Sequence, residues 1–564
     1  MGLMLTTRIT NSISGLLFVI VVSAIFTCTS EKFAGKSSGN AATITDTLKS
    51  ESSGITAEAI YEPDILTKFY EKGKGLLSAR WNSRDKIEQM ISAIRNASKD
   101  GLDPDDYHLQ NIERLAEKIA YSDNIDVDDI GKLEFMLTDS FRLLSSHLSV
   151  GKTDPETIDP QWKASRRIAR KDWGTFIDST LNRNKNINEI LQGLTPVHAD
   201  YYNLKKALIK YRKFQEKGGW PTFSTSLPKL EKGMSHPDIS LLRKRLALTQ
   251  GDINCNPEDT NLFDQNLFEQ VVLFQQRNGL DADGVVGKAT IAALNTTINE
   301  RIESIEANLE RWRWISDDLG KRYIRVNIAN FELQVIDNDE VAFQSPAIVG
   351  RLYKETPIFS SVLKYLVINP DWSIPDEILK SEIIPDIIKN PEYLTEKKMK
   401  ILRRDGSEVD PSAIVWDSSL VESFPYLIRQ EPGPDNPLGH IKFVLPNQYS
   451  VYIHDTPSRS LFLRRNRTFS HGCIRISKAH ELAEYLLKDD TEWSPALLQK
   501  AIDRDQRATI VLPDPVPVHI LYLTAWADDE GTPYFCKDIY NRDQPLISAL
   551  KKSFQWKESL VVRN

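Results

Sequence analysis

The spacing of apolar residues changes once along the chain, and this change restricts the fold more than any other feature. From about Ala57 to Phe214 apolar side chains recur every three or four residues, which is the spacing of amphipathic helices. A second helical unit covers residues 229–297 and leads into a charged helix. From Tyr323 apolar and polar residues alternate, as in half-buried strands. The sequence therefore predicts a multidomain α+β protein, in which a helical scaffold and a small helical module precede a mainly-β domain.

A charged stretch at residues 374–430 interrupts the β-rich part, with helices expected over Asp376 to Lys389 and Glu396 to Arg404. An insertion of this length inside a β domain is a subdomain or a lid rather than a plain loop. Such a helical cap would exclude water from a reactive intermediate. The predicted segments are 1–28 for a signal or anchor, 29–55 for a flexible tether, 56–228 for the helical scaffold, 229–297 for the small module, 298–318 for a linker helix, 319–516 for the β-rich domain with its cap at 374–430, and 517–564 for a C-terminal extension packing on that domain.

The N-terminal residues indicate export. Ile13 to Thr27 is uncharged and largely apolar, and its core of roughly 15 residues suits a signal peptide better than a membrane-spanning helix. Ile25 to Cys28 resembles a lipoprotein box, so Cys28 is either a lipid attachment site or part of an uncleaved membrane anchor. Both readings place the rest of the chain in the periplasm or cell envelope, in contact with the membrane only through the N-terminus.

The net charge and the number of cysteines argue against two classes of protein, nucleic-acid binders and small disulfide scaffolds. The 564-residue chain has a formal net charge of −7, which argues against a protein that holds DNA or RNA. Its four cysteines are too few for a disulfide scaffold. Cys255 and Cys536 carry no pattern of their own, and whether they pair stays open.

The remaining cysteine closes the run Ser470-His471-Gly472-Cys473. A cysteine at its ordinary pKa of about 8.5 is mostly thiol at neutral pH, whereas the thiolate is the nucleophile. In an extended segment residues two apart share a face, so His471 can lie beside the sulfur, stabilise the thiolate and later protonate a leaving amine. The backbone N–H groups of Gly472 and Cys473 are candidate oxyanion donors. Spacing alone leaves an inert buried cysteine open.

Two longer strings resemble known families. FQQRNGLDADGVVGKATIAALN, residues 274–295, resembles the signature of peptidoglycan-binding-domain-like modules, which are small three-helix units. YIHDTPSRSLFLRRNRTFSHGCIRI, residues 452–476, resembles the catalytic motif of the L,D-transpeptidase (YkuD-like) family. Further segments are similar to the large periplasmic, YcbB-like branch of that family, namely residues 368–372, 432–439, 509–512, 518–519 and 524–526.

The second resemblance implies a cysteine-dependent peptidoglycan L,D-transpeptidase that needs no cofactor. Cys473 would attack the third-residue carbonyl of a donor tetrapeptide stem and release D-Ala, with His471 as base. The thioester would then pass to a side-chain amine of another stem and form a 3→3 cross-link. The other implied roles are Ser470 as support for His471, Gly472 as backbone donor, His454 and Tyr452 near the oxyanion or acceptor, and Arg475 on a substrate carboxylate. Implied partners are peptidoglycan stems and glycan, carbapenem-type β-lactams as covalent inhibitors, and other cell-wall synthesis enzymes.

Several alternatives stay open. Water in place of the amine would make the chain an L,D-carboxypeptidase, and a non-catalytic envelope protein would use only the 229–297 module. Asp252 to Asn261 resembles an insertion in this module, which is then either a glycan binder or a structural brace. His454, His471 and Cys473 are zinc-ligand types, but no C-x-x-C or H-x-x-x-H spacing accompanies them, so no metal is predicted. Trp372 is either a core anchor or the floor of the cleft, and the basic run Arg464 to Arg467 is either solvated or contacts substrate carboxylates.

Overall fold

The computed structural model describes residues 81, 83–121, 126–167, 173–181, 186–251 and 260–552. The predicted signal or anchor, the tether, Cys28 and Cys255 lie outside the described residues. Within the described ranges, no helix combines the length and the apolar character needed to span a bilayer.

The first half of the described chain is helical, as the periodicity predicts. Polar residues begin several of these helices, because the side chains of Asp126, Asp264 and Thr297 accept hydrogen bonds from backbone N–H groups of the first turn. The helices are Arg84–Ala97, Leu109–Tyr121, Val127–Val150, Pro155–Ile158, Trp173–Leu181, Ile187–Gln192, Ala199–Glu216, Pro237–Gln250, Gln265–Arg277, Lys288–Leu294 and Ile298–Trp314.

The helix Ile298–Trp314 is a buried central element, although the sequence predicts a linker there. Its last eight residues are all buried. Arg313 and Glu310 form an ion pair of 2.7 Å whose side chains are 0% exposed, and Arg313 also donates to the carbonyl of Asp100. The charged composition that suggested a surface linker is thus explained by pairing inside the protein, since a buried charge requires such partners.

The strands form one large sheet and two small ones in the described part of the chain. In chain order they are β1 Trp162–Lys163, β2 Arg322–Asn327, β3 Glu332–Asp337, β4 Glu340–Gly350, β5 Ile358–Ile368, β6 Trp372–Ser373, β7 Met399–Leu402, β8 Glu408–Val409, β9 Leu427–Gln430, β10 Ile441–Val444, β11 Ile453–His454, β12 Thr468–Ser470, β13 Ile474–Ile476, β14 Ala508–Leu521, β15 Ala525–Ala527 and β16 Pro533–Phe535. The large sheet follows the order β1-β5-β10-β11-β13-β4-β3-β2-β14, and β14 also pairs with β5. The sheet therefore closes on itself, and the predicted mixed helical and β-rich fold is confirmed.

Strand β14 crosses the boundary predicted at residue 516. Its residues Val518 to Leu521 pair in parallel with β2, and Val516 to Ile520 pair with β5. The first residues assigned to the C-terminal extension are thus part of the closed sheet. The helix Asp543–Leu550 follows after β15 and β16. The kink between Val511 and Val516, where the register shifts, explains why the sequence pattern breaks there.

The cap contains its own hydrophobic cluster and a sheet in addition to helices. Strands β6, β9, β7 and β8 form this four-stranded sheet. Glu396 to Arg404 was predicted as helix, but β7 occupies Met399–Leu402 because buried Met399 and Ile401 flank exposed Lys400 with a period of two. The predicted helix at Asp376 to Lys389 is present in three pieces, Asp376–Ile378, a π-helical turn Leu379–Ile383, and Ile384–Lys389.

The π-helical turn has a local cause and places a carboxylate. Pro385 lacks an N–H group and cannot bond to the carbonyl four residues earlier, and such positions are where helices widen or kink. Glu382 lies on this wider turn. Because π-turns often occur at functional sites, Glu382 is a candidate site residue.

Candidate active site

The run Ser470 to Cys473 forms a bend between β12 and β13, at the rim of the closed sheet. Strand β12 pairs with β4, while β13 pairs with both β4 and β11. Gly472 has φ +110°, a conformation that L side chains rarely adopt, so glycine is required to make the bend. His471 and Cys473 therefore do not lie on one extended segment, which differs from the geometry assumed from their spacing.

Ser470 holds the bend together from inside. Its side chain is buried, its hydroxyl donates to the carbonyl of Cys473 at 2.6 Å and it accepts from the N–H of Gly472 at 3.1 Å. The predicted role of Gly472 as an oxyanion donor does not fit this structure, because its N–H group is already used. Ser470 supports the bend itself rather than the imidazole of His471.

Thr356 and Tyr540 support the bend from outside. The hydroxyl of Thr356 donates to the carbonyl of Gly472 at 2.9 Å and accepts from the N–H of Gly350 at 2.9 Å. Tyr540, from the C-terminal extension, donates to the carbonyl of Gly350 at 2.6 Å and accepts from the N–H of Thr356 at 3.2 Å. The extension thus reaches the candidate active site through two buried hydroxyl groups.

Replacement of Tyr540 by phenylalanine should lower the free energy of unfolding by about 1–3 kcal/mol, because it leaves the buried N–H of Thr356 without a partner. Urea unfolding of the full chain measures this loss. Tyr534→Phe is the matched control, since the Tyr534 ring stacks on Trp526 and no described residue pairs with its hydroxyl. Equal stability changes for the two variants would contradict the support role of Tyr540.

Cys473 is half-buried and lies among hydrogen-bond donors and cations. Its sulfur is 3.8 Å from the carbonyl oxygen of Ser450. Burial raises the pKa of the thiol, whereas the backbone N–H and hydroxyl of Tyr452 and the charges of Lys442 and Arg475 oppose this rise. Because burial outweighs these opposing groups, the pKa of Cys473 is raised on balance and the side chain is mostly a thiol at neutral pH.

His471 is held by two charged residues. Its Nε2 is 2.9 Å from Oε1 of the cap residue Glu382, and Arg351 approaches the ring at 2.9 Å from Nε2 and 3.3 Å from Nδ1. A proton on Nε2 that is donated to Glu382 leaves the lone pair on Nδ1. Burial and the charge of Arg351 lower the pKa of His471, while Glu382 opposes this shift. Among the described residues, no hydrogen bond joins His471 to Cys473, so the direct contact predicted from sequence is not made here.

His454 lies on β11, which pairs with β13 next to the bend. His454 is buried, its Nδ1 lies 2.5 Å from the carbonyl of Asp455, and burial lowers its pKa to about 3. It is therefore neutral, with the proton on Nδ1, and its Nε2 can only accept a hydrogen bond. His454 in this form does not suit the predicted oxyanion role.

Tyr452, Arg475 and Trp372 connect the sulfur to the cap. Tyr452 packs 5.4 Å from the ring of His454 and belongs to the edge of the cap cluster. Trp372 is buried in that cluster, and its side chain lies beside the Tyr452 hydroxyl. Burial raises the pKa of Tyr452, so its hydroxyl stays protonated and remains a donor.

Arg475 pairs in register with His454 across β11 and β13. Its Nε is buried without a partner, and no carboxylate of the described residues forms an ion pair with it.

Lys442, Arg351 and Glu382 contribute to the site but were not predicted. The Nζ of Lys442 lies 3.8 Å from the centre of the Tyr452 ring, and burial lowers the pKa of Lys442. Arg351 and Glu382 lie about 100 and 70 residues before Tyr452, whereas Lys442 lies ten residues before it, beyond an uncharged stretch that carries no motif. A single signal was available: Arg351 follows Gly350 at the end of a long strand, where site residues are common.

The Ser-His-Gly-Cys bend lies in a part of the chain that matches a known family. Residues 321–516 match the family model of the YkuD L,D-transpeptidase catalytic domain. Residues 235–294 match the model described as a "putative peptidoglycan binding domain", and residues 64–208 match a scaffold domain model. The chain thus contains a YkuD L,D-transpeptidase catalytic domain joined to a peptidoglycan-binding domain, which confirms the two resemblances; membership of the YcbB-like branch stays a prediction.

Individual proteins resemble this chain over part of its length. A "putative L,D-transpeptidase" of Haemophilus influenzae is 34% identical over 244 residues, which cover 43% of this chain and 49% of that protein. The chain thus spans about half the length of this curated relative. The structure of an L,D-transpeptidase from Stackebrandtia nassauensis matches at 12% identity and a TM-score of 0.20, covering 53% of this chain and 97% of that one. That of an L,D-transpeptidase from Xylanimonas cellulosilytica matches at 13% identity and a TM-score of 0.17, covering 53% and 100%.

Proposed function

We propose that the chain is a peptidoglycan L,D-transpeptidase that acts through a thioester on Cys473. The observation that carries the proposal is the bend Ser470 to Cys473, which presents a half-buried thiol to donors and cations beneath the cap. The sulfur attacks the third-residue carbonyl of a donor tetrapeptide stem. The C–N bond to the terminal D-Ala breaks, and D-Ala leaves as an amine.

His471 serves as the base and then the acid of this step. The raised pKa of the thiol and the lowered pKa of His471 make a neutral pair the resting state. The imidazole takes the thiol proton during attack through Nδ1, which carries the lone pair when Nε2 donates to Glu382, and returns it to the departing amine. The Arg351 guanidinium, 3.3 Å from Nδ1, must move off this nitrogen when the ring turns to the sulfur. The ring must come within hydrogen-bond reach of the sulfur when substrate binds, and catalytic hydrogen bonds commonly tighten only in the complex.

The negative oxygen of the tetrahedral intermediate has two candidate donors that replace Gly472 in this role. No hydrogen bond of the described residues uses the N–H of Cys473. The Tyr452 hydroxyl lies beside the sulfur and stays protonated. Donors preorganised in this way are commonly worth several kcal/mol in a transition state.

Arg475 is placed to bind the donor stem, and His454 is placed to bind the acceptor stem. The orphaned Nε of Arg475 can donate to a carboxylate of the donor stem, in a partly buried position where charge-assisted hydrogen bonds are strong. The acceptor is a side-chain amine, which must lose a proton as it attacks the thioester. His471, neutral again once it has protonated D-Ala, takes that proton, and the Nε2 of His454, a buried acceptor, receives a hydrogen bond from the acceptor amine.

The product of transfer is a 3→3 cross-link, whereas water as acceptor would give a trimmed tripeptide. Mass spectrometry of muropeptides after incubation distinguishes the two, because dimers and tripeptides differ in mass. Dimers as the main product support the transpeptidase, and tripeptides alone would make the chain an L,D-carboxypeptidase.

Removal of the cap should raise the ratio of hydrolysis to transfer. The cap covers the site through Glu382 on His471 and through an ion pair of Glu377 with Lys354, so its loss admits water to the thioester. Trp372 and Gln430 are paired neighbours in β6 and β9, so a short glycine linker can replace the residues between them. The same muropeptide assay measures the ratio, with the exposed cap substitution Glu422→Gln as control. An unchanged ratio in the deletion would contradict the lid function.

The working location and partners follow from the same proposal. We infer that the chain works in the cell envelope, where the predicted N-terminal signal or anchor would place it and where peptidoglycan stems and glycan occur. Carbapenem-type β-lactams present a reactive carbonyl to the same thiol and are expected to acylate it. Interaction with other cell-wall synthesis enzymes stays a prediction.

A further inference from the structure

A pocket of about 90 Å³ lies where three parts of the chain meet. Its walls come from the peptidoglycan-binding module, the helix Ala199–Glu216 and the segment Gly531–Phe535. Four cations line it, Lys210, Arg245, Arg277 and Arg301, and no carboxylate is present among its described lining residues. A space of this size has room for several waters or one small anion.

Several polar groups of this pocket have no partner. Arg245 is 3% exposed; its Nε and Nη2 donate to the carbonyl of Leu294, while its Nη1 is buried without a hydrogen bond. The Nε of Arg277 and both amide atoms of Gln250 are buried without partners as well. Native proteins pair nearly all such groups, so unpaired donors around one cavity indicate a missing ligand.

The cations also repel one another. The Arg245 guanidinium stacks 4.4 Å from the Trp220 ring, and that of Arg301 lies 4.3 Å from the Phe535 ring, so both are packed against apolar faces. Burial lowers the pKa of Arg245 to about 10, and the charge of Arg301 adds to this shift. Buried like charges without a counterion destabilise the folded chain, and an anion between them would relieve this cost.

The pocket is connected to the catalytic motif. Asn278, at its edge, accepts a hydrogen bond of 2.5 Å from Arg301, and the carbonyl of the next residue, Gly279, accepts one of 2.8 Å from Arg465 in the spacer of the motif. In the basic run of that spacer, Arg465 thus contacts the module, whereas Arg467 donates to the carbonyls of Ala347 and Phe331 in the β-rich domain.

We propose that this arginine pocket binds a carboxylate of a peptidoglycan stem and so holds a strand on the module at a second site, outside the active site. Naming the stem as ligand rests on the proposed function, whereas the preference for an oxyanion rests on the guanidinium groups alone. Two of the unsatisfied donors, Nη1 of Arg245 and Nε of Arg277, would pair with the carboxylate oxygens.

Titration calorimetry of the full chain tests this proposal. The Cys473→Ala background prevents turnover, so binding is measured independently of any acyl transfer. The ligands are a disaccharide tetrapeptide, the same molecule with its carboxylates amidated, and inorganic phosphate at matched ionic strength. Arg277→Gln removes a pocket cation that forms no described hydrogen bond of its own. Lys244→Gln is the control, because Lys244 is exposed on the helix Pro237–Gln250 and does not line the pocket.

We expect Arg277→Gln to weaken binding of the disaccharide tetrapeptide at one site by about tenfold, and Lys244→Gln to leave it unchanged. The amidated ligand should bind with the same affinity to the Cys473→Ala parent and to the Arg277→Gln variant in that background. Without ligand, Arg277→Gln should melt at or above the temperature of the parent, which also shows that the variant is folded. Equal binding of the tetrapeptide to the parent and Arg277→Gln would overturn the proposal. Binding of phosphate but not of the tetrapeptide at this site would overturn the stem as ligand.

Discussion

Replacement of Cys473 by alanine is expected to abolish both cross-link formation and stem trimming by the full chain. In the proposed mechanism the sulfur of Cys473 is the atom that carries the acyl group. Among the described residues, no second thiol lies next to Tyr452 that could form the thioester in its place. Loss of a nucleophile commonly costs about 10⁴-fold or more in turnover. Rates of dimer and tripeptide formation from purified stems measure the effect.

Cys536→Ala is the matched control for this substitution. Its sulfur is packed 3.6 Å from the carbonyl oxygens of Leu523 and Thr524, and burial raises the pKa of its thiol. The control should keep the rates of the parent. Comparable turnover in Cys473→Ala, or loss of turnover in Cys536→Ala with the fold intact, would place the nucleophile elsewhere.

Replacement of His471 by glutamine should reduce acylation by about 10²–10⁴-fold, because general acid–base catalysis contributes about that much. Glutamine keeps a polar side chain near Glu382 and Arg351 but cannot take the thiol proton. Stopped-flow measurement of the acylation rate with a carbapenem isolates this step from transfer. A rate close to that of the parent would remove His471 from the base role.

The pH dependence of acylation tests how the charges around His471 shift the pKa of its imidazole. The base must be neutral, so the rate is full above the pKa of His471 and is lost as the pH falls through it. Since burial and Arg351 lower this pKa from 6.5, the loss should occur below pH 6.5. Arg351→Gln removes a cation and should move the loss to higher pH, whereas Glu382→Gln removes an anion and should move it to lower pH. Shifts in the opposite directions would contradict the arrangement.

Those parts of the protein that depend on local sequence could be predicted. The helices follow from apolar spacing and from polar starts such as Asp264 and Thr297. The position of the nucleophile loop follows from a continuous string between Tyr452 and Ile476. Gly472 was identified from the sequence as a candidate backbone donor, whereas its φ of +110° is the reason that the position needs glycine.

The contacts that control the site could not be predicted, because they join distant segments. Thr356 and Tyr540 are 116 and 68 residues from Gly472, yet they hold its carbonyl and the strand beside it. Glu382 reaches His471 from a π-helical turn of the cap, 89 residues before it in the sequence. A charged residue in such a segment reads as solvated until its partner in the fold is known.

The dependence on distant partners also explains why two regions, the helix Ile298–Trp314 and the cap, differ from what the sequence predicted. The helix Ile298–Trp314 was read as a linker because it is charged, but its arginines pair with carboxylates and carbonyls inside the protein. The cap was read as helical because the strands β6 to β9 are short and separated by polar turns. In both cases, tertiary pairing decides the structure over local composition.

The mass of the full chain after reaction with a carbapenem tests the central claim most directly. Intact mass spectrometry should show one added drug molecule on the parent and on Cys536→Ala, and peptide mapping should place it on the fragment that contains Cys473. Cys473→Ala should show no addition. An adduct that persists in Cys473→Ala, or that maps to another residue in the parent, would contradict the assignment of Cys473 as the acylated nucleophile.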